Sequence, residues 1–236
     1  MILKRLKKII KRIPVIGGIG KAVLRFYRAV RFPGSVSYWE SRYAEGNTSG
    51  RGSYSKLAEF KAELLNSFVR TNHVSSVIEF GCGDGNQLSL AVYPSYMGVD
   101  VSKTAIKICG NKFSGDPSKS FYLYDPECFF DNAGIFHAEL ALSLDVIYHL
   151  VEDDVFARYL KHLFNSAERF VIIYASNTNQ NSPDQPPHVR HRAFTEWIDV
   201  NLNGWSLKER IENKYPFQGS DLTGSFSDFY VYERSQ

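Results

Sequence analysis

Sulfur is scarce in this sequence, with 3 cysteines and 2 methionines among 236 residues. Cys82, Cys109 and Cys128 form no CxxC pair and have no histidine at ligand spacing. That excludes a disulfide framework and a structural zinc site, and it points to a reducing, cytoplasmic compartment. No apolar run approaches the roughly 20 residues needed to span a bilayer. The apolar stretch nearest the start, Ile13 to Gly20, contains Pro14 and three glycines and returns at once to Lys21 and Arg25, a poor secretory signal. Acid is missing from the first 31 residues and first appears at Glu40. Ten of the 28 cations lie in that acid-free stretch, so residues 32–236 hold 18 cations against 25 acids, a formal −7 hidden inside a whole-chain +3.

What the first stretch does have is periodicity. Ile2, Leu3, Leu6, Ile9, Ile10 and Ile13 recur at helical spacing among lysines and arginines, and Val23, Leu24, Phe26, Tyr27 and Val30 continue the pattern up to Pro33. This predicts a basic amphipathic tail over residues 1–33 that docks on an anionic membrane surface, through residues 1–31, or packs on protein. A peripheral position at the inner face of the cell membrane follows from the first choice. Nucleic acid is disfavoured, because an acidic body repels a phosphate backbone and no aromatic-basic platform follows.

The body is long enough for one α/β domain with extensions. Strands are expected at Val74–Phe80, Tyr96–Asp100, Ser120–Tyr124, Ala138–Ser143 and Arg169–Ala175, with closing strands at Trp205–Lys214 and Asp228–Glu233. Helices are expected at Leu57–Phe68, a short one at Asn86–Ala91, then Lys103–Phe113 with Ser102 as N-cap, Glu152–Ser166 and Phe194–Leu202. Alternating strands and helices imply a mostly parallel sheet covered on both faces, with an antiparallel edge and a ligand crevice at the strands' carboxyl ends.

The first strand runs into Glu79-Phe80-Gly81-Cys82-Gly83-Asp84-Gly85. Glycines at alternate positions allow a tight turn and close approach of a ligand to the backbone. A dinucleotide fingerprint wants its third glycine three residues after the second, whereas here it comes after two. The spacing suits S-adenosylmethionine better than NAD.

With these residues placed, positions 38–233 resemble the class I S-adenosylmethionine-dependent methyltransferases, whose E/D-x-G-x-G-x-G signature matches Glu79, Gly81, Gly83 and Gly85. The resemblance implies a Rossmann-like domain over 74–236 with a seven-stranded sheet, preceded by a cover or lid at 34–73 and amphipathic helices in the tail. It implies S-adenosyl-L-methionine as cofactor and no metal, although Asp145, Asp153 and Asp154 leave room for one. It places Cys82 and the glycines beside the methionine part of the cofactor, Asp100 and Val101 at the ribose, Tyr124 and Asp125 at the adenine, and Ser143 and Leu144 at the fourth strand end.

His149 is the expected base for an alcohol attacking the methyl, with Asp145 orienting it or facing the cofactor; the alternative is a histidine that caps or packs. Tyr148 and the run Arg190-His191-Arg192 are expected on the acceptor side, where two arginines suit an anionic group, or else are solvated charge. The expected function is O-methylation of a sugar hydroxyl on a lipid-linked or surface glycan in a bacterial-type cell. Methylation of a lipid-soluble or small secondary metabolite, and a non-catalytic scaffold in a glycan-assembly complex, are the rivals. The sequence leaves the oligomeric state open.

Overall fold

The computed structural model describes residues 32–182, 184–219 and 224–235. The tail assigned to residues 1–33 therefore lies, but for its last two positions, outside the described residues. Among the described residues no helix is long and apolar enough to cross a membrane.

The chain runs α1 (Ser35–Ala44), α2 (Ser55–Thr71), β1 (Val77–Phe80), β2 (Tyr96–Asp100), α3 (Lys103–Lys112), β3 (Lys119–Leu123), β4 (Ala138–Leu144), α4 (Asp153–Asn165), β5 (Ala167–Ala175), α5 (Phe194–Asn201), β6 (Trp205–Ile211) and β7 (Asp228–Arg234). Among the described residues the sheet has seven strands in the order β3-β2-β1-β4-β5-β7-β6. β1 to β5 pair in parallel, and β7 inserts antiparallel between β5 and β6. The order reverses between β1 and β4, so the crevice opens beside those two strand ends.

Both faces of the sheet are buried, which is why β1, β4 and β5 read as near-continuous apolar runs. Ile78, Phe80, Ala141, Val171 and Ile173 face Phe156, Leu160 and Leu163 of α4 and Ile198 of α5. Val77, Leu140, Leu142, Phe170 and Ile172 face Leu65 and Val69 of α2 and Cys109 of α3.

Several expected boundaries shift for local reasons. The first strand begins at Val77 rather than Val74, because His73 turns to φ 51° and the Val74 N–H closes onto the Val69 carbonyl at 2.9 Å. Those residues end α2 instead of starting β1. The short helix expected at 86–91 is a single 3₁₀ turn at Leu88–Leu90. β6 stops at Ile211, short of Lys214, since the Asn213 N–H leaves the ladder for the Asp228 carboxylate at 2.9 Å. Residues 35–44, expected only as cover, form a full helix.

Candidate active site

The glycine turn leaves β1 with Gly81, Gly83 and Gly85 all at positive φ, 84°, 58° and 70°. Gly81 lines the cavity at the strand ends, and a Cβ there would meet Val146 Cγ2 at 2.5 Å. Gly83 and Gly85 serve packing instead. A Cβ on Gly83 would collide with Ser49 Oγ and the Tyr43 hydroxyl, and one on Gly85 would meet Phe113 Cε2 at 2.7 Å. Neither lines the cavity, so the idea that all three glycines clear space for a ligand is corrected: two clear space for the roof and for α3.

Beneath the turn, Glu79 lines the cavity and accepts from the Tyr96 hydroxyl at 2.6 Å. Burial pushes its carboxyl up to about 7, against the pull of that bond and of Lys61. Asp100, at the end of β2, accepts Gly83 N–H at 2.9 Å and Ser102 N–H at 2.8 Å. Burial raises it to about 6 against those two bonds. Val101, Cys82, Tyr124 and Leu144 also line the cavity. Asp125 does not: it is exposed and its Oδ1 accepts Glu127 N–H at 2.9 Å, while Pro126 takes the wall position expected for it. Ser143 is likewise displaced, fully buried behind the cavity against the Tyr159 hydroxyl at 2.7 Å.

The roof is the segment before β1. Asp84 reaches out of the turn to Ser49 N–H at 2.8 Å and the Tyr54 hydroxyl at 2.9 Å, while Ser49 Oγ receives Asp84 N–H at 3.0 Å. Burial acts to raise the Asp84 carboxyl, but these donors and Asn86 N–H outweigh it and hold it below the ordinary value. Glu40 of α1 accepts from the Ser102 and Thr104 hydroxyls at 2.6 and 2.8 Å, clasping α1 to the start of α3. Ser35 donates to the His149 carbonyl at 2.7 Å, and Val36 and Trp39 close the side wall.

His149 lies on the 3₁₀ turn Ile147–His149 after β4 and lines the cavity. Its Nδ1 sits 2.9 Å from the His188 carbonyl. A carbonyl only accepts, so Nδ1 carries the proton and Nε2 holds the lone pair. Burial pushes the ring down to about 4, with the His188 carbonyl and Asp145 opposing. Trp39 presses edge-on at 4.8 Å, and His188 stacks at 5.4 Å.

Asp145 is expected to orient His149 or to face the cofactor; the His188 carbonyl takes the first task, and Asp145 stands in the cavity wall. Asp145 lines the cavity at φ 60°, with Oδ2 2.7 Å from the Lys61 ammonium and Oδ1 accepting from the Tyr148 hydroxyl at 2.8 Å and Ser227 at 3.3 Å. Lys61 is wholly buried.

The acceptor-side residues are also corrected. Tyr148 is turned onto Asp145 and is absent from the cavity wall. Arg190 and Arg192 reach Asp153 at 3.0 Å each and donate to the Val151 carbonyl, with Arg192 also on the Leu150 carbonyl at 2.6 Å. Their guanidiniums brace the turn into α4. His191 bonds Ser176 Oγ at 2.6 Å. These three line a separate shallow cleft with Asn181 and Trp197.

No family model matches the chain. The structure is similar to magnesium protoporphyrin IX methyltransferase of Synechocystis with bound S-adenosylhomocysteine, at TM-score 0.57 and 16% identity over 91% of this chain and 100% of that one. It is similar to the methyltransferase domain of bacterial CtHen1-C, at TM-score 0.57 and 20% identity over 75% and 98%. The fold is that of the class I methyltransferases.

In sequence, the chain is 26% identical over 196 residues to a small RNA 2'-O-methyltransferase of Arabidopsis thaliana, covering 72% of this chain and 21% of that protein. The chain thus spans about a fifth of the length of that relative. The residues present fit the cofactor of this methyltransferase fold: the Gly81 backbone in the cavity wall, a buried carboxylate at Asp100, an apolar slot of Val101, Tyr124 and Pro126, and a buried amide oxygen on Gln87 that has no hydrogen-bond partner among the described residues. Among the described residues no three His, Cys, Asp or Glu side chains gather so as to hold a metal ion. Sequence reasoning missed Lys61, hidden in an apolar helix face, and gave no role to Asp84 and Gln87. Asp84 sits within the motif and Gln87 two residues past it, but their burial carries no sequence signal.

Proposed function

We propose that this protein is an S-adenosylmethionine-dependent O-methyltransferase acting on a sugar hydroxyl. The observation that carries it is the fixed tautomer of His149 in the cavity wall: its donor nitrogen is spent on a backbone carbonyl and its basic nitrogen is unpaired among the described residues. The cofactor would supply an electrophilic methyl group on a sulfonium. Glu79, Asp100 and Gly81 would hold it, while Trp39, Val36 and the roof exclude water. His149 would take the hydroxyl proton at Nε2 as the new O–C bond forms and the methyl–sulfur bond breaks, its electron pair leaving with the neutral thioether.

A lipid-linked or surface glycan is the preferred acceptor, because the basic stretch 1–31 joins the domain beside His149. A ribose hydroxyl of RNA is a second reading, favoured by the similarity to the small RNA 2'-O-methyltransferase; the formal −7 of residues 32–236 argues against a phosphate backbone.

Two assays test this. Calorimetry should find S-adenosylhomocysteine binding, whose absence in folded protein would favour a non-catalytic scaffold. Methyl-labelled cofactor offered to extracted lipid-linked glycans, to small RNA and to small-molecule extracts should label the glycans; label in RNA instead would replace the acceptor reading.

A further inference from the structure

Gln87 is 7% exposed and lines the cavity just past the glycine turn. Its Nε2 donates to the Ala58 carbonyl of α2 at 3.0 Å. A carbonyl cannot donate in return, so the amide's orientation is fixed and Oε1 is the end left over. That oxygen is buried and has no hydrogen-bond partner among the described residues. A buried acceptor left unpaired costs about 1–3 kcal/mol, so such a group in a cavity wall marks where a ligand donor belongs.

The surroundings say what kind of donor. Asp84 and Asp145 line the same cavity, and each is already engaged: Asp84 by Ser49, Tyr54 and Asn86, Asp145 by Lys61, Tyr148 and Ser227. Gln87 through Ala58 and Asp145 through Lys61 both meet α2, and two carboxylates against one ammonium leave this group net negative. A neutral acceptor beside net negative charge suits a cation bearing several N–H groups. With a nucleoside over Asp100 and the Val101–Tyr124 slot, the end reaching Gln87 is the amino-acid end.

We propose that Gln87 Oε1 is the acceptor for the α-ammonium group of the cofactor's methionine moiety. The inference rests on the methyltransferase reading. It makes α2, through Ala58, a support of the cofactor site.

Calorimetry with two probes tests it. S-adenosylhomocysteine carries the ammonium group, and 5'-methylthioadenosine carries the nucleoside and sulfur without it. Gln87→Met keeps the side chain's length and apolar stem. It should weaken S-adenosylhomocysteine binding about tenfold to a hundredfold, the value of one hydrogen bond to a charged group, while 5'-methylthioadenosine binds as to the parent protein. Equal losses for both probes, or no loss for either, would overturn the assignment. If the parent protein binds neither probe, the methyltransferase reading itself falls.

Discussion

Lys61 and Asp145 form a buried ion pair whose separate members are costly and whose joint removal is not. Breaking such a pair from one side typically costs about 3–5 kcal/mol, because the remaining charge is stranded. Urea unfolding of Lys61→Met should show a loss of that size, and the double variant Lys61→Met/Asp145→Asn should recover most of it; a double variant no better than the single would mean that packing, not charge, sets the cost. Glu79 gives a pH signature. It keeps its proton up to about 7 when folded against 4.5 as a free group, so the folded state is increasingly disfavoured as pH rises from 4.5 through 7. Glu79→Gln should therefore raise stability at pH 8 by on the order of 1–3 kcal/mol more than at pH 5. His149 runs the other way. Its folded value of about 4 lies below the ordinary 6.5, so its ring stays neutral down to about pH 5 and stability falls as pH drops from 6.5 towards 4. Ring signals of His149 in NMR should stay fixed between pH 8 and 5.5; movement with a midpoint near 6.5 would refute the burial argument.

At the scale of elements, α1 is held by polar clasps rather than by a broad apolar seam. Ser35 and Tyr43 are its buried residues. Glu40→Ala removes the bonds to Ser102 and Thr104 and should cost about 1–2 kcal/mol, with faster proteolysis in residues 45–54 while the sheet core stays protected in hydrogen exchange. Unchanged proteolysis would show that the Asp84 bonds alone hold the roof. This is also where sequence legibility ends. The strand run at Val77–Phe80, the acid at Asp100 and the turn after Leu144 were legible because periodicity and glycine spacing are local signals. The cover at 34–73 was legible as such, but the bonds that fasten it were not, since nothing local in Ser49 or Tyr54 says that Asp84 will reach back some 30 to 35 positions to them. Arg190 and Arg192 misled for the same reason. Two arginines look the same in sequence whether they meet a ligand or, as here, Asp153 and the carbonyls of the turn into α4.

For the whole molecule, the sequence divides by charge into a basic beginning and an acidic body. Each basic residue near an anionic surface contributes on the order of 1 kcal/mol, screened by salt. Deleting residues 1–31 should leave the melting temperature and S-adenosylhomocysteine affinity of the body unchanged while abolishing co-sedimentation with phosphatidylserine-containing vesicles at low salt; equal sedimentation of both forms would assign the basic stretch to a protein partner. Ser35 adds a constraint on geometry. It is bonded to the His149 carbonyl and to Glu152, and only residues 32–34 separate it from position 31, a reach of at most about 14 Å over four residue steps. Whatever captures the basic stretch therefore anchors the enzyme by the rim of its own doorway. The acceptor would then be met within a thin layer next to that anchor, and substrates free in bulk solution would compete at a disadvantage set by position alone.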